Sequence, residues 1–517
     1  MVNKQNILTY LLTLLFLCTF AIKLYGQDDY KKWLKEENEK FNKFAQEEDK
    51  QFVEFLKKEW IQIVLEKEMP VYKKPKPLTI PEYKPSINKK TINNPEIKKE
   101  DVKSKINNEP TGIIEKPPVN KDIPGTNETE NPPVEQPPDI AEQLGIDLFS
   151  NNLTSDIDYF GSGITYYYNN SLHVGITGEL DKNTVINYWK RMSSSDYKTC
   201  LTQAKYYKDK MELNDWGYAK LLYDYAKTVN NSSDAESYMF TWFMLTKSGY
   251  IVRIGYMGNN VALLIATNNR MFGQPYFYLK GYDQRFYSVS LDPDKKPLGG
   301  SIHIYKEDYP GANKIFSLNV KDIPEIKSRI NSKVIKVKIG GEDYSFPVKY
   351  NTGVIKYFDY YPQTDFTVYF SAPMSKEASE SILGDLKPLI KDKNEYDAVS
   401  FLLHFVQYAT GYKTDDEQFK REKPLFPEES LYYDYSDCED RAVLLAYLIK
   451  NLLNLEMVAI DYPDHMSLAV HFNSNVRGDY FENNGKKYVV TDPTYIGAGV
   501  GYIMPQYKNE GADLIEL

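Results

Sequence analysis

Three residues toward the C-terminal end of the chain, Cys438, His465 and Asp492, have the types and spacing for nucleophilic acyl chemistry, with successive residues 27 positions apart. Such chemistry needs a thiolate to attack, a base to take and return its proton, and a third group to fix the base. Cys438 opens an apolar stretch, Ala442 to Ile449, that reads as a helix. A helix start carries unsatisfied N–H groups and the positive end of the dipole, both of which favour a thiolate. His465 stands at the mouth of a strand-like run, Met466 to Val470, and Asp492 closes another, Tyr488 to Thr491. A helix start, a strand start and the next strand end can converge at one sheet edge. Plainer roles exist for each residue alone. Cys438 could be a structural thiol or pair with Cys200, His471 has the same strand parity as His465, and Asp492-Pro493 could only open a turn. Three acidic neighbours, Asp437, Glu439 and Asp440, oppose a thiolate electrostatically. The Cys438 backbone N–H is the default oxyanion donor, with Tyr433, Tyr435 and Gln407 as side-chain candidates. Tyr432, Tyr433 and Tyr435 fit either a substrate groove or core packing.

The elements that must position these residues are written twice in the chain. In the first half, strand-like runs at 164–168 and 172–177 precede helical patterns at 183–192, at 214–226 and from Ser233, and then strands at 250–256, 261–266 and 286–291. In the second half, a strand over Phe366–Phe370 leads to helices at 376–390, at 394–405 and from Ser436, and to strands at 457–461, 466–472 and 487–491. Ser233-Asp-Ala-Glu236 against Ser436-Asp-Cys-Glu439, and Asp292-Pro293 against Asp492-Pro493, mark the repeat. The expected fold is α+β: two tandem units of helices packed on antiparallel sheet, at 145–327 and 328–517. In the first unit Ala235 stands where Cys438 stands, and Ala262 lies 27 residues on. Alanine can neither attack nor accept a proton, so that unit is expected to be non-catalytic and to support the second or bind a partner. Its aromatic run Met271 to Tyr278 reads as a candidate surface or a core strand.

Ser436-Asp-Cys-Glu-Asp-Arg-Ala442, Asp464-His465-Met466 and Asp492-Pro493-Thr494-Tyr495 resemble the transglutaminase-like superfamily of papain-like enzymes, over roughly 394–510. Their wording is similar to bacterial transglutaminase-like cysteine proteinases that clip adhesins in the periplasm. The resemblance implies Cys438 as nucleophile, His465 as general base and acid, and Asp492 as the orienting group. No cofactor is required by that chemistry. In those relatives acidic residues flanking the cysteine are associated with calcium, which would make Asp437 and Glu439 candidate Ca²⁺ ligands. The acidic residue before Cys438 departs from the Gly-Gln or Gly-Val pair of crosslinking members.

The rest of the chain sets the context. Lys4 followed by an apolar run from Ile7 to Ile22 reads as an export signal over 1–26, since about 16 apolar residues are short for a span of about 20. Cys18 lacks the small preceding residue of a lipoprotein signal. Residues 27–68 read as a charged amphipathic helix in which Phe41/Phe44 recurs as Phe52/Phe55. It is expected to dock on its own domain or self-associate. Residues 69–144 hold a Pro- and Lys-rich stretch, with 14 of the 28 prolines between Pro70 and Pro138, and read as a disordered tether. Residues 28–140 could also touch an anionic envelope polymer. A length of 517 residues, at roughly 150 per domain, allows two to four units. A net charge of −9 argues against nucleic-acid binding through bulk positive charge, and three cysteines exclude a disulfide scaffold or a Cys-rich metal site. The expectation is an exported, periplasmic or surface cysteine hydrolase acting on protein or peptide in the cell envelope. The alternatives are a non-enzymatic envelope binding or assembly protein and a protein-crosslinking acyltransferase.

Overall fold

Residues 46–66, 140–230 and 233–517 are described by the computed structural model. The export signal, the Phe41/Phe44 pair, Cys18 and nearly all of the Pro-rich stretch lie outside them. Helices packed on antiparallel sheets give an α+β fold. Among the described residues no helix is long and apolar enough to cross a membrane.

The first unit begins with residues 46–57, which are helical (α1), and a short strand β1 (Ile61–Val64). After the intervening residues come a hairpin, β2 (Leu153–Tyr159) and β3 (Ser162–Tyr168), and helices α2 (Lys182–Ser193), α3 (Tyr197–Lys210), α4 (Asp215–Val229) and α5 (Asp234–Lys247). Strands β4 (Val252–Met257), β5 (Asn260–Thr267), β6 (Tyr276–Tyr278), β7 (Arg285–Val289) and β8 (Ser301–Ile304) close it. With β1 they form one sheet in the order β1-β8-β4-β5-β7-β6. The segment Leu172–Thr177, read above as a strand, is a short 3-10 turn over Asn170–Leu172 followed by irregular chain. Asn169 accepts from the Ser171 N–H, so a side chain competes there for the backbone a strand would use.

The second unit repeats this plan. A long hairpin, β9 (Ile330–Ile339) and β10 (Glu342–Asn351), is followed by α6 (Thr352–Tyr360), α7 (Phe366–Ser371), α8 (Lys376–Ile390), α9 (Glu395–Ala409), α10 (Pro427–Tyr432) and α11 (Cys438–Leu453). Then come β11 (Glu456–Tyr462), β12 (His465–His471), β13 (Tyr480–Asn483), β14 (Lys486–Val490) and β15 (Asp513–Glu516). Their sheet order is β15-β11-β12-β14-β13, which matches β8-β4-β5-β7-β6 strand for strand. Asn214 caps α4 by accepting from Gly217 N–H, and Asn394 caps α9 by accepting from Asp397 N–H, the same device at matching places. Phe366–Phe370, expected as a strand, is helical. Phe366, Val368, Tyr369 and Phe370 are buried and Thr367 is exposed, so the burial of three successive residues, which a two-residue alternation cannot give, overrides the strand pattern. The hairpin role belongs to β9 and β10.

The two units share one apolar core. Tyr357 donates to Asn214 Oδ1 at 2.8 Å, Asn214 Nδ2 donates to the Tyr361 hydroxyl at 2.7 Å, and Arg270 pairs with Asp365. The N-terminal segment belongs to the first unit. Its helix ends at 57 rather than 68, because β1 then pairs with β8, Ile61 opposite Ile304. Phe52 lies fully buried with ring centroids 4.5 Å from Trp189, 5.6 Å from Tyr305 and 5.3 Å from Tyr309, while Asp49 pairs with Lys247. The run Met271 to Tyr278 divides, with Met271 and Phe277 buried and Tyr278 exposed. Phe52→Ala should therefore cost about 3–5 kcal/mol of stability in denaturant unfolding of the full chain. A loss below about 1 kcal/mol would contradict the docking of α1.

Candidate functional site

Cys438 is the first residue of α11, with Asp437 at the N-cap and the side chain fully buried. The approach to it is held from several sides. Lys333 on β9 donates to the carbonyls of Tyr432 (2.7 Å) and Tyr433 (3.1 Å), which closes the end of α10. Gly411 and Tyr412 pair in parallel with Tyr435 and Ser436, tying the exit of α9 to the residues before the cysteine. Glu428 on α10 accepts from the backbone N–H of Asn351 (3.1 Å) and of Ser375 (2.7 Å), pinning α10 to the end of β10 and the start of α8; burial raises its pKa. Asp440 accepts from the N–H groups of Leu425 (2.8 Å) and Asp437 (3.1 Å), and the Cys438 thiol donates to Glu439 Oε2 at 2.9 Å.

His465 is the first residue of β12 and pairs with Tyr462 across a two-residue turn. Thr491 N–H donates to the Leu468 carbonyl at 2.7 Å, continuing the β12–β14 ladder and delivering Asp492 beside His465. His465 Nε2 lies 2.8 Å from Asp492 Oδ2, with both side chains buried. Asp492 Oδ1 accepts from Thr494 N–H (2.9 Å) and Tyr495 N–H (3.3 Å). A carboxylate held on both oxygens fixes the imidazole in the tautomer with its proton on Nε2, which makes Nδ1 the basic nitrogen. α11 packs on β12. His471, by contrast, is at the far end of β12, with Nδ1 against the Lys487 carbonyl at 2.9 Å.

Gln407, a candidate oxyanion donor above, has a different role. Its Nε2 contacts the carbonyls of Asp492 (3.2 Å), Tyr495 (2.9 Å) and Ala498 (3.0 Å), and its Oε1 accepts from Gly497 N–H at 3.3 Å. That orientation of the amide makes His404 Nδ1 a donor to Oε1, at 2.9 Å. The amide is thus committed to folding the loop after Asp492. Tyr433 packs on Phe419, and Tyr435 lies beneath the Lys413 ammonium, 3.6 Å from its ring centroid. Neither Cys200 nor Cys438 is in a disulfide, and the two lie in separate units, so the alternative pairing is overturned.

The acidic surroundings of Cys438 extend beyond its neighbours. Ligand atoms of Asp437, Cys438 and Glu439 lie within 4.8 Å of one another, as do those of Asp415, Asp437 and Asp440 and those of Asp415, Glu422 and Glu439. Asp415, Asp437, Glu439 and Asp440 are each at most 2 % exposed. Asp415 and Glu422 sit in the segment between α9 and α10 and carry no local signal that sequence reasoning could use. Arg441 is the buried cation nearest this set. Burial lowers its pKa to about 10, offset in part by Tyr412, Asp437, Asp440 and Cys438, and it donates to Ser436 Oγ (3.2 Å) and the Thr410 carbonyl (2.9 Å). A set of carboxylate oxygens this close together is of the kind that suits a hard divalent cation.

In the first unit the hairpin β4–β5 turns between Met257 and Asn260 as β11–β12 turns between Tyr462 and His465. Counted from the turn, the counterpart of His465 is Asn260 and not Ala262, and asparagine is no base either. Asp234, beside Ala235, is clamped by Lys227 and Lys295, the latter also 3.6 Å from Asp292.

No family model, curated protein or solved structure matches the chain. The site stands on its own geometry: a helix-start thiol, and a buried imidazole and carboxylate at one sheet edge. Gln407→Leu should unfasten the loop after Asp492, costing about 2–3 kcal/mol for the carbonyls left without a donor. It should also raise amide exchange at 494–498, read by hydrogen–deuterium exchange. Unchanged exchange there would contradict the role given to Gln407.

Proposed function

We propose that the chain is an exported cysteine-dependent hydrolase of the transglutaminase-like superfamily, acting on peptide or amide bonds of cell-envelope protein. The observation that carries this reading is the buried His465 Nε2–Asp492 Oδ2 hydrogen bond of 2.8 Å, on a strand packed against the helix that Cys438 opens. The shared strand order of the two sheets supports a duplication in which the first unit is non-catalytic. Export rests on the Lys4 to Ile22 sequence alone.

His465 Nδ1 takes the Cys438 proton and the thiolate adds to the carbonyl carbon. Asp492 stabilises the imidazolium that results. The oxyanion faces the start of α11, where the Cys438 N–H has no intrahelical acceptor. The C–N bond breaks as His465 returns the proton to the leaving amine, leaving a thioester on Cys438. His465 then deprotonates water, which releases the acid and restores the thiol. An amine in place of water would give amide transfer. Asp415, Glu422, Asp437 and Glu439 are the residues that would hold a calcium ion, which when bound supplies positive charge beside the thiol.

A second reading, a binding or assembly protein with a vestigial site, has its own support. Cys438 and His465 are fully buried, and the thiol proton points to Glu439.

A thiol-directed, acyl-mimicking electrophile decides between them. Labelling should be found in the wild type and be lost in Cys438→Ala and His465→Ala. Equal labelling of wild type and Cys438→Ala would contradict the enzyme. For the cation, calcium at a hundred times its Kd should add about 2.7 kcal/mol of stability, seen as a higher melting temperature that Glu422→Gln suppresses. An unchanged melting temperature at millimolar calcium would remove calcium from the account.

A further inference from the structure

The segment from Asp492 to Lys508 leaves His465 and comes back to it. Gln407 grips its first part. Its middle is pinned where Gly501 crosses Gly478: Asp479 N–H donates to the Gly501 carbonyl at 2.8 Å and Gly501 N–H to the Val490 carbonyl at 2.7 Å. A Cβ on Gly478 would meet the Gly501 Cα at 2.3 Å, and both residues have positive φ, so only glycine allows this crossing. Beyond it, Ile503 N–H donates to Asp479 Oδ2 at 3.3 Å and Lys508 pairs with Asp479 at 3.6 Å. The chain then turns through Pro505–Tyr507 and lays the Tyr507 ring over the His465 imidazole, centroids 5.0 Å apart and planes 15° from parallel. Tyr462 completes the group, 4.6 Å from Tyr507 and 6.1 Å from His465. Tyr507 is buried, with its hydroxyl beside Asp464, in the turn from which His465 emerges.

We propose that Tyr507 is a positioning residue that seals one face of the His465 imidazole, with its ring stabilising the imidazolium and keeping water from the His465–Asp492 hydrogen bond. This rests on the hydrolase reading above. An imidazolium against an aromatic face gains cation–π attraction, and a dry hydrogen bond to a carboxylate is stronger than a wet one. Asp492 is bonded to the imidazole, Tyr462 and Tyr507 stack beside it, Asp464 precedes it in the chain, and Asp479, paired with Lys508, holds the returning loop. Of these, Tyr507 is the one that joins the ring face of His465 to the turn before it.

The test is NMR of the full chain labelled with carbon-13 in its histidine rings, five in all. In the wild type the His465 ring signal should be displaced upfield by the stacked Tyr507 ring. Tyr507→Met keeps the bulk and removes the π face, and should lower the His465 titration midpoint by about half a pH unit. Tyr507→Phe keeps the face and should leave the midpoint in place. A wild-type signal without the upfield displacement, an unmoved midpoint in Tyr507→Met, or an equal fall in Tyr507→Phe would each overturn the proposal. The wild-type displacement needs no variant to fold. Reaction of the wild type with the thiol probe separates the two ideas. No labelling with the stated midpoints sinks the hydrolase and leaves the seal, whereas labelling with unmoved midpoints does the reverse.

Discussion

The second unit is arranged around one buried hydrogen bond, His465 Nε2 to Asp492 Oδ2. A buried carboxylate is costly unless its oxygens are occupied, and a buried imidazole is useful as a base only if one tautomer is fixed. The surrounding chain meets both requirements with backbone. β12 and β14 bring the residues together through the Thr491–Leu468 ladder bond, and the N–H groups of Thr494 and Tyr495 take the second carboxylate oxygen. Gln407 on α9 then holds the loop that provides those groups. The helix that Cys438 opens packs on β12, the strand that His465 begins.

The two units show what this arrangement requires beyond the shared topology. In the first, α4 ends at Val229 and α5 begins at Asp234, with four residues between them; in the second, residues 410–437 lie between α9 and α11. That insertion contains α10, Glu428 with its two backbone donors, and the carboxylates Asp415 and Glu422. Asp437 and Glu439 have counterparts in Asp234 and Glu236, so the insertion adds Asp415 and Glu422 to carboxylates that the common framework already carries. The first unit places lysines at the corresponding helix start and neutralises Asp234 there, an arrangement suited to structure rather than to acyl chemistry.

Much of this was legible in the amino-acid order because the signals were local. Asparagine caps before α4 and α9, alternating apolar runs at β4, β5, β11, β12 and β14, and the Cys, His and Asp at element ends each carry their own mark. Long-range facts did not. β1 looks like the tail of a charged helix until β8 is available to pair with it. Phe366–Phe370 alternates like a strand but buries the three successive residues Val368, Tyr369 and Phe370. Gln407 reads as an oxyanion donor until the loop carbonyls it meets are known. Asp415, Glu422 and Tyr507 are ordinary residues in sequence, brought to the site by an insertion and by a returning loop.

The central claim is that Cys438 forms and discharges an acyl intermediate with help from His465 and Asp492. Rapid-quench mass spectrometry during reaction with an activated peptide ester measures this directly. The account predicts an acyl adduct on the peptide containing Cys438 that forms and decays in the wild type, and that forms far more slowly in Asp492→Ala. Absence of any adduct at Cys438, or an adduct whose formation is indifferent to Asp492, would contradict it.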